Sequence, residues 1–271
     1  MRRLKILFFW IFINKNNITF NDLLYFLTKP KINTIAKKYI EKVETKNEFE
    51  VKFHSFSSPL FWPKSFSIDR LDQVIAETFD VKDWHYYQKE HTTVDNNEII
   101  LDIGTAEGLF PMTVIEKAKH IYMIEPSQTF YDCLNKTYAN FKDKVTIFNV
   151  AVGNEDGEIS FDENSLEGMI SYETQENVNK ININKIDTIF KNNEKITYLK
   201  ADIEGFEQEM LKGAEWTIKR NKPKIAITTY HTQNDPAEII SLITSFVPEY
   251  KYYVKGIYEK TPKPVMIHFW I

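Results

Sequence analysis

Hydrophobic positions along the chain fall into two regimes. Over residues 1–90 their spacing is irregular: an apolar run, LKILFFWIFI, is followed by NDLLYFLTK and SIDRLDQVIAETF, which read as short amphipathic helices. Between these two lies KFHSFSSPLFWPKSF, rich in aromatics and proline. From residue 98 the pattern changes to short β-branched runs alternating with helical stretches, as a parallel α/β sheet requires. Strands are predicted at EIILDIG, HIYMIEP, KVTIFNVAVG, ITYLKADI and KPKIAITTY. Helices are predicted at LFPMTVIEKAK, with Pro111 in its first turn, at SQTFYDCLNKTYANF after a Ser127 cap, and at FEQEMLKGAEWTIKRN. DPAEIISLITSF reads as a helix capped by Asp235 with Pro236 at its first position. YKYYVKGIY and PVMIHFWI read as an antiparallel hairpin, and GEISFDE with ININKIDTIF as an inserted β-segment. Neither an internal repeat nor a low-complexity tract is present. The organisation read from this is a helical, aromatic-rich N-terminal extension over 1–90 and an α/β domain over 91–271.

The stretch EIILDIGTAEGLF, residues 98–110, carries the first chemical signal. A strand entering a tight glycine turn and then a helix aims backbone N–H groups at a ligand above the strand. Gly104 is expected to let the chain turn and Gly108 to let a ligand approach the backbone. A dinucleotide fingerprint would read G-x-G-x-x-G, whereas the spacing here is G-x-x-x-G with Asp102 two residues ahead of it. A carboxylate there repels a diphosphate but suits an ammonium group, which argues against NAD and for S-adenosylmethionine (SAM). Glu125 ends the second strand, 23 residues after Asp102, where an acid can accept hydrogen bonds from both ribose hydroxyls. Asn149, Ala151 and Val152 end the third and offer a small, mixed surface for adenine. Cofactor contacts are therefore expected from Asp102, Gly104, Thr105 and Gly108, from Glu125 and Pro126, and from Asn149 and Ala151.

Composition limits the alternatives. The chain has 271 residues, 43% hydrophobic and 27% charged, and is long enough to bury a large core. A net charge of −4 gives no electrostatic footprint for nucleic acid, and ADIEGF lacks the prolines of base amino-methylating enzymes. The single Cys133 excludes an internal disulfide and a thiolate metal cluster, which points to a cytoplasmic protein. MRRLKILFFWIFIN starts like a signal peptide, but no small-residue cleavage site follows and the run is too short to span a bilayer. It is either a packing helix or an interfacial one, with Arg2, Arg3 and Lys5 toward anionic lipid at the inner face of the membrane and Phe8, Phe9, Trp10 and Phe12 inserted.

LDIGTAEGLF, MIEPS, FNVAVGNEDGEISF and YLKADIEGFEQEMLKGAE together resemble the FkbM family of SAM-dependent methyltransferases, over about residues 95–271. The most specific piece is KADIEGFE, residues 200–207, followed by LKGA, residues 211–214; Tyr230, His231 and Asp235 in KPKIAITTYHTQNDPAEI also match one branch of the family. The resemblance implies a Rossmann-like sheet of seven strands and O-methylation, often of sugar hydroxyls in natural products or surface glycans. Thr105, Ala106 and Glu107 depart from the family's usual Ala-Asn and small residue, and residues 1–90 resemble no family.

Methyl transfer from a sulfonium has a good leaving group, so the protein must align an acceptor oxygen and remove its proton. The candidates are Asp202, Glu204, Glu207 and His231. His231 is the expected base, since an imidazole titrates near neutrality. Asp202 would orient it, contact the SAM ammonium or bind a metal. Asp202, Glu204 and His231 also form a possible Mg²⁺ or Mn²⁺ set; the alternative is that the acids pair with Lys200 and Lys212. Glu207 falls in the first turn of a helix, where the dipole already explains it. Trp84, His85, Tyr86 and Tyr87 could stack on a sugar acceptor or simply pack as a lid. The expected function is O-methylation of a small-molecule or glycan hydroxyl. The alternative is a SAM-binding, membrane-associated interaction protein without catalysis, distinguished by whether SAM is turned over when a carbohydrate is supplied. The oligomeric state is not legible.

Overall fold

The computed structural model describes residues 2–162, 169–171, 179–192, 194–231 and 233–271. The N-terminal part begins with α1 (Arg2–Phe12), α2 (Phe20–Thr28) and α3 (Ile32–Ala36), continues through β1 (Ile40–Thr45), β2 (Phe49–Phe53) and β3 (Leu60–Trp62), and ends with α4 (Ile68–Phe79). The aromatic segment thus forms strands within an otherwise helical extension: β1, β2 and β3 pair antiparallel in that order. Their inward residues Val51, Phe53, Leu60 and Trp62 are buried, as alternation on a one-sided sheet demands. Trp62 meets Phe130 edge-on, Phe66 stacks on the same ring, and Phe61 N–H donates to the Thr137 hydroxyl. The extension and the α/β part therefore share one apolar cluster, which runs from Ile6 through Trp62 to Ile100 and Phe130.

The α/β part carries β4 (Ile99–Ile103), α5 (Leu109–Val114), β5 (His120–Ile124), α6 (Gln128–Thr137) and β6 (Val145–Phe148). Next come β7 (Ala151–Val152), β8 (Gly157–Asp162), β9 (Met169–Ser171), β10 (Asn179–Asn184) and α7 (Ile186–Ile189). It closes with β11 (Tyr198–Ala201), α8 (Glu207–Lys212), α9 (Glu215–Asn221), β12 (Lys224–Thr228), α10 (Pro236–Phe246), β13 (Lys251–Lys255) and β14 (Met266–Trp270). The main sheet has seven strands in the order β13-β14-β12-β11-β4-β5-β6. β12, β11, β4, β5 and β6 run parallel, while β14 is antiparallel to both β12 and β13. Their near-continuous apolar sequences match burial on both faces. A second sheet, β7-β10-β8-β9, is the inserted β-segment; part of its sequence lies outside the described residues.

Two predicted helices come out differently for local reasons. The segment 206–221 is two helices, because Gly213 passes so close to Gly153 that a Cβ there would lie 1.9 Å from the Gly153 carbonyl oxygen. α5 stops at Val114, where Lys117 N–H turns back to the Val114 carbonyl. α10 starts as read, with the Asp235 carboxylate accepting from Ala237 N–H and Pro236 in the first turn. The connections from β4 lead to β5 and β6 on one side, while β11 and β12 lie on the other. The chain therefore reverses direction across the sheet between β4 and β11, and in such sheets ligands bind outside the strand C-termini at that reversal.

Candidate active site

A cleft of about 710 Å³ opens above the carboxyl ends of β4, β5 and β11. Its floor begins at the turn after β4. Gly104 has φ +68°, and a Cβ there would sit 1.9 Å from the Asp202 carbonyl oxygen, so only glycine lets the two strand ends approach. Gly104 N–H and Thr105 N–H both donate to the Ile124 carbonyl. Gly108 has φ +85° but does not face the cleft: a Cβ there would lie 2.6 Å from Leu134 Cδ2 and 2.9 Å from Tyr138 Cε2. Its role is to let α5 pack on α6, not to admit a ligand as its spacing had implied. Gly108→Ala should cost about 2 kcal/mol through backbone strain and overpacking, measured by denaturant unfolding.

Asp102 also differs from expectation. It is fully buried beneath the turn, absent from the cleft wall, with the Lys200 ammonium 3.0 Å from its Oδ1. The protein's own lysine thus takes the place assigned to a ligand's ammonium. Lys200 also donates to the Gly104 carbonyl at 2.7 Å; burial works against its charge, but Asp102 and Asp202 together raise its pKa.

Glu125 does reach the cleft. Its Oε2 accepts from Ala106 N–H at 2.8 Å and its Oε1 from Ser127 N–H at 2.9 Å, which leaves a lone pair free on each oxygen. Burial pushes its pKa up to about 7 against those two hydrogen bonds. Glu107, unremarked as a site residue in the sequence, lines the same cleft and is pushed by burial to about 7 as well. Pro126, Thr105, Ala151 and Val152 also line it. Asn149 does not; its amide donates to the Glu125 and Pro126 carbonyls and ties the tips of β5 and β6 together. The cradle therefore offers glycine-turn backbone, two near-neutral carboxyls and a small apolar wall, a donor set that fits a cationic nucleoside.

A second cluster stands at the end of β11. On a continuing strand Asp202 and Glu204 would point to opposite faces, but the strand ends at Ala201 and Glu204 (φ +56°) and Gly205 (φ +108°) turn the chain. Both carboxylates then reach one imidazole: His231 Nε2 lies 3.0 Å from Glu204 Oε2 and 3.8 Å from Asp202 Oδ1. His231 Nδ1 lies 3.0 Å from Glu207 Oε1. Burial opposes charge on this ring, yet Glu204, Glu207 and Asp202 outweigh it and hold its pKa up at about 11. These carboxylates favour the charged form of His231, with one near each nitrogen, an arrangement different from the free base that the sequence had led us to expect. Asp202 behaves in the opposite sense: burial is overcome by His231, Lys200 and His85, and its pKa is lowered. The Tyr87 hydroxyl donates to its Oδ2 at 2.8 Å, and the Thr228 hydroxyl stands 3.0 Å from its Oδ1. The alternative pairing of these acids with Lys200 and Lys212 is only half present: Lys200 adds to the field at Asp202, while Lys212 pairs with Glu209.

Glu207 is fully buried and more than a helix-dipole partner. Its Oε1 accepts from His231 Nδ1 and Ile203 N–H, and its Oε2 from Gly205 N–H and Asn234 Nδ2. Among the described residues, the His, Cys, Asp and Glu group whose ligand atoms lie within 4.8 Å of one another is Asp202, Glu207 and His231, so Glu204 drops out of the expected metal set. From the aromatic segment, His85 and Tyr87 line the cleft with Tyr230 and Tyr258. Trp84 instead stacks on Phe26, and the Tyr86 carbonyl accepts from Lys255.

Comparison with known proteins places the chain in a family. Among solved structures, a methyltransferase FkbM from Methylobacillus flagellatus KT aligns with TM-score 0.53 and 21% identity, covering 76% of this chain and 56% of that one. A precorrin-6y C5,15-methyltransferase from Geobacter metallireducens GS-15 aligns with TM-score 0.42 and 9% identity over 67% and 85% of the two chains. A putative methyltransferase from Streptococcus mutans in complex with SAH gives 0.39 and 13% over 66% and 91%. This chain thus spans little more than half the length of the FkbM structure that it matches. No curated protein matches it. The profile of the methyltransferase FkbM domain matches residues 102–253, from the buried Asp102 beneath the glycine turn through the Asp202–His231 cluster. That match takes in more than half of the chain, which therefore belongs to the FkbM methyltransferase family.

Proposed function

We propose that the protein transfers the methyl group of SAM to a hydroxyl oxygen of a sugar or glycan and that Asp202 takes its proton. The observation that carries this reading is the position of Asp202: its backbone N–H donates to the Ile103 carbonyl beside the cofactor turn, and its carboxylate faces a cleft lined by His85, Tyr87, Tyr230 and Tyr258. Flat rings with polar tips suit a saccharide face, and a carboxylate suits its hydroxyls. In the cofactor half, Glu125 would accept both ribose hydroxyls with its remaining lone pairs, Ala151 and Val152 would lie along the adenine, and Glu107 would face the cationic methionyl end. The acceptor oxygen attacks the methyl carbon, the sulfur–carbon bond breaks, and S-adenosylhomocysteine (SAH) leaves. The hydroxyl proton, acidified as the carbon–oxygen bond forms, passes to Asp202 and then to water.

The test is SAH release from SAM in the presence of mono- and oligosaccharides, glycosides and amines. Turnover that appears only with a carbohydrate, and a methyl ether in the product, is expected. Turnover confined to amine acceptors would remove the oxygen assignment.

The residues present fit a divalent cation poorly. Every lone pair of Glu207 already accepts a hydrogen bond, and His231 would have to lose a proton that two carboxylates hold. Activity after dialysis against EDTA should stay within about twofold of its starting value, given that hard cations need several free oxygen ligands. A large loss restored by Mn²⁺ or Mg²⁺ would reverse this reading.

A further inference from the structure

The extension presents an apolar surface that the methyltransferase reading leaves unused. Leu4, Phe8, Ile11 and Phe12 recur at four-, seven- and eight-residue offsets and so share one face of α1. Phe20 and Leu24 of α2 join them, and all six side chains are between 47% and 70% exposed. The opposite face of α1 is committed to the protein: Ile6 is buried, Phe9 and Trp10 pack on the core, and the Trp10 indole donates to the Ile18 carbonyl. Phe9 and Trp10 are therefore not available for insertion, which revises the set read from the sequence. From Ile6 onward α1 is apolar all round yet covered on one side only.

Charge indicates what covers the other side. The first 40 residues contain eight lysines and arginines and one acid, Asp22, whereas the rest of the chain carries a net charge of −11. Arg2 is paired with Glu259 and Lys29 with Asp83, but Lys5, Lys15 and Lys31 are exposed and in no ion pair among the described residues. A second copy of the chain docked through this same face would bring like charges together. An anionic bilayer complements the basic end and repels the acidic remainder, which fixes the orientation as well as the contact. No described helix is long and apolar enough to cross a membrane, so the contact is with the surface.

We propose that the exposed face of α1 and α2, with Leu4, Phe8, Ile11, Phe12, Phe20 and Leu24 inserted and Lys5 and Lys15 at its rim, docks the protein on anionic lipid. Arg2, on the same helix, lines the cleft, so docking holds the cleft mouth beside the bilayer.

The full-length protein should co-sediment with vesicles of phosphatidylcholine and phosphatidylglycerol and not with phosphatidylcholine alone, and added salt should release it. Phe8→Ser with Phe12→Ser, and separately Lys5→Glu with Lys15→Glu, should each cut partitioning about tenfold or more, while melting temperature and SAH binding stay unchanged. Equal partitioning to both vesicles, or none to either, overturns the proposal. So does a dimer in sedimentation equilibrium that the phenylalanine variant dissociates while vesicle binding is absent.

Discussion

Glu125→Ala is expected to weaken SAH binding by about a hundredfold or more, read by calorimetric titration. A hydrogen bond to a charged group contributes about 1.5–3 kcal/mol, and the two free lone pairs of Glu125 are placed for two hydroxyls. Glu125→Gln should do little better, because its NH₂ would face the Ala106 or the Ser127 N–H. The loss should be accompanied by a change in pH dependence. In the free protein Glu125 titrates at about 7, raised by burial, and ribose hydroxyls donate best to its ionised form. SAH affinity should therefore fall about tenfold from pH 8 to pH 6 in the native protein, and much less in Glu125→Gln. A loss of less than about fivefold in Glu125→Ala would mean that the cofactor lies elsewhere in the cleft.

Each of these shifts contributes to the pH dependence of the free protein's stability with a definite sign. Between about pH 4.5 and 7 the folded chain holds protons on Glu107 and Glu125 that the unfolded chain has released, so stability falls as pH rises through that window. His231 continues the trend: its raised pKa contributes stability that is complete below about 6.5 and is lost progressively toward 11. Asp202 works the other way, but only in acid, where its lowered pKa is crossed.

The strand tips were legible in the sequence because local signals fix them: apolar β-branched runs, a glycine turn and a terminal acid need no knowledge of the rest of the chain. Five strands and an antiparallel C-terminal hairpin were read from the same runs, while the single sheet of seven strands was what the family resemblance implied. Partners distant in sequence were not legible. Lys200 faces Asp102 because β11 lies beside β4, and that pairing alone converts an apparent ligand contact into a buried ion pair. Tyr87 reaches Asp202 across 115 positions, and nothing near Tyr87 announces it. Gly108 shows the limit from the other side: a glycine with positive φ is readable, but whether a ligand or Leu134 crowds it depends on how α5 meets α6. The segment around Phe53 and Trp62 reads as irregular because its aromatics are spaced for a sheet docked against α6, not for a free-standing one.

Asp202→Asn is expected to lower kcat by about 10²- to 10⁴-fold with SAH affinity changed only a few-fold, since positioned proton transfer contributes on that scale. The geometry separates this role from that of His231. Against the effect of its burial, the pKa of Asp202 is lowered, chiefly by His231 and Lys200, and its carboxylate faces the cleft, whereas the His231 ring is held between Glu204 and Glu207 with its pKa up at about 11, so that near neutrality it has no lone pair to offer. In the proposed reaction His231 acts as a positioning residue: its charge would keep Asp202 ionised, and its ring lies between the turn at Glu204 and Glu207 of α8. His231→Gln should therefore lower kcat less than Asp202→Asn does, and should shift the acid limb of the pH–rate profile upward as Asp202 loses its cation. If His231 were instead the base, the native profile would show a limb near neutrality and His231→Gln would abolish it. The two variants measured across pH thus assign the proton to one side of a 3.8 Å gap.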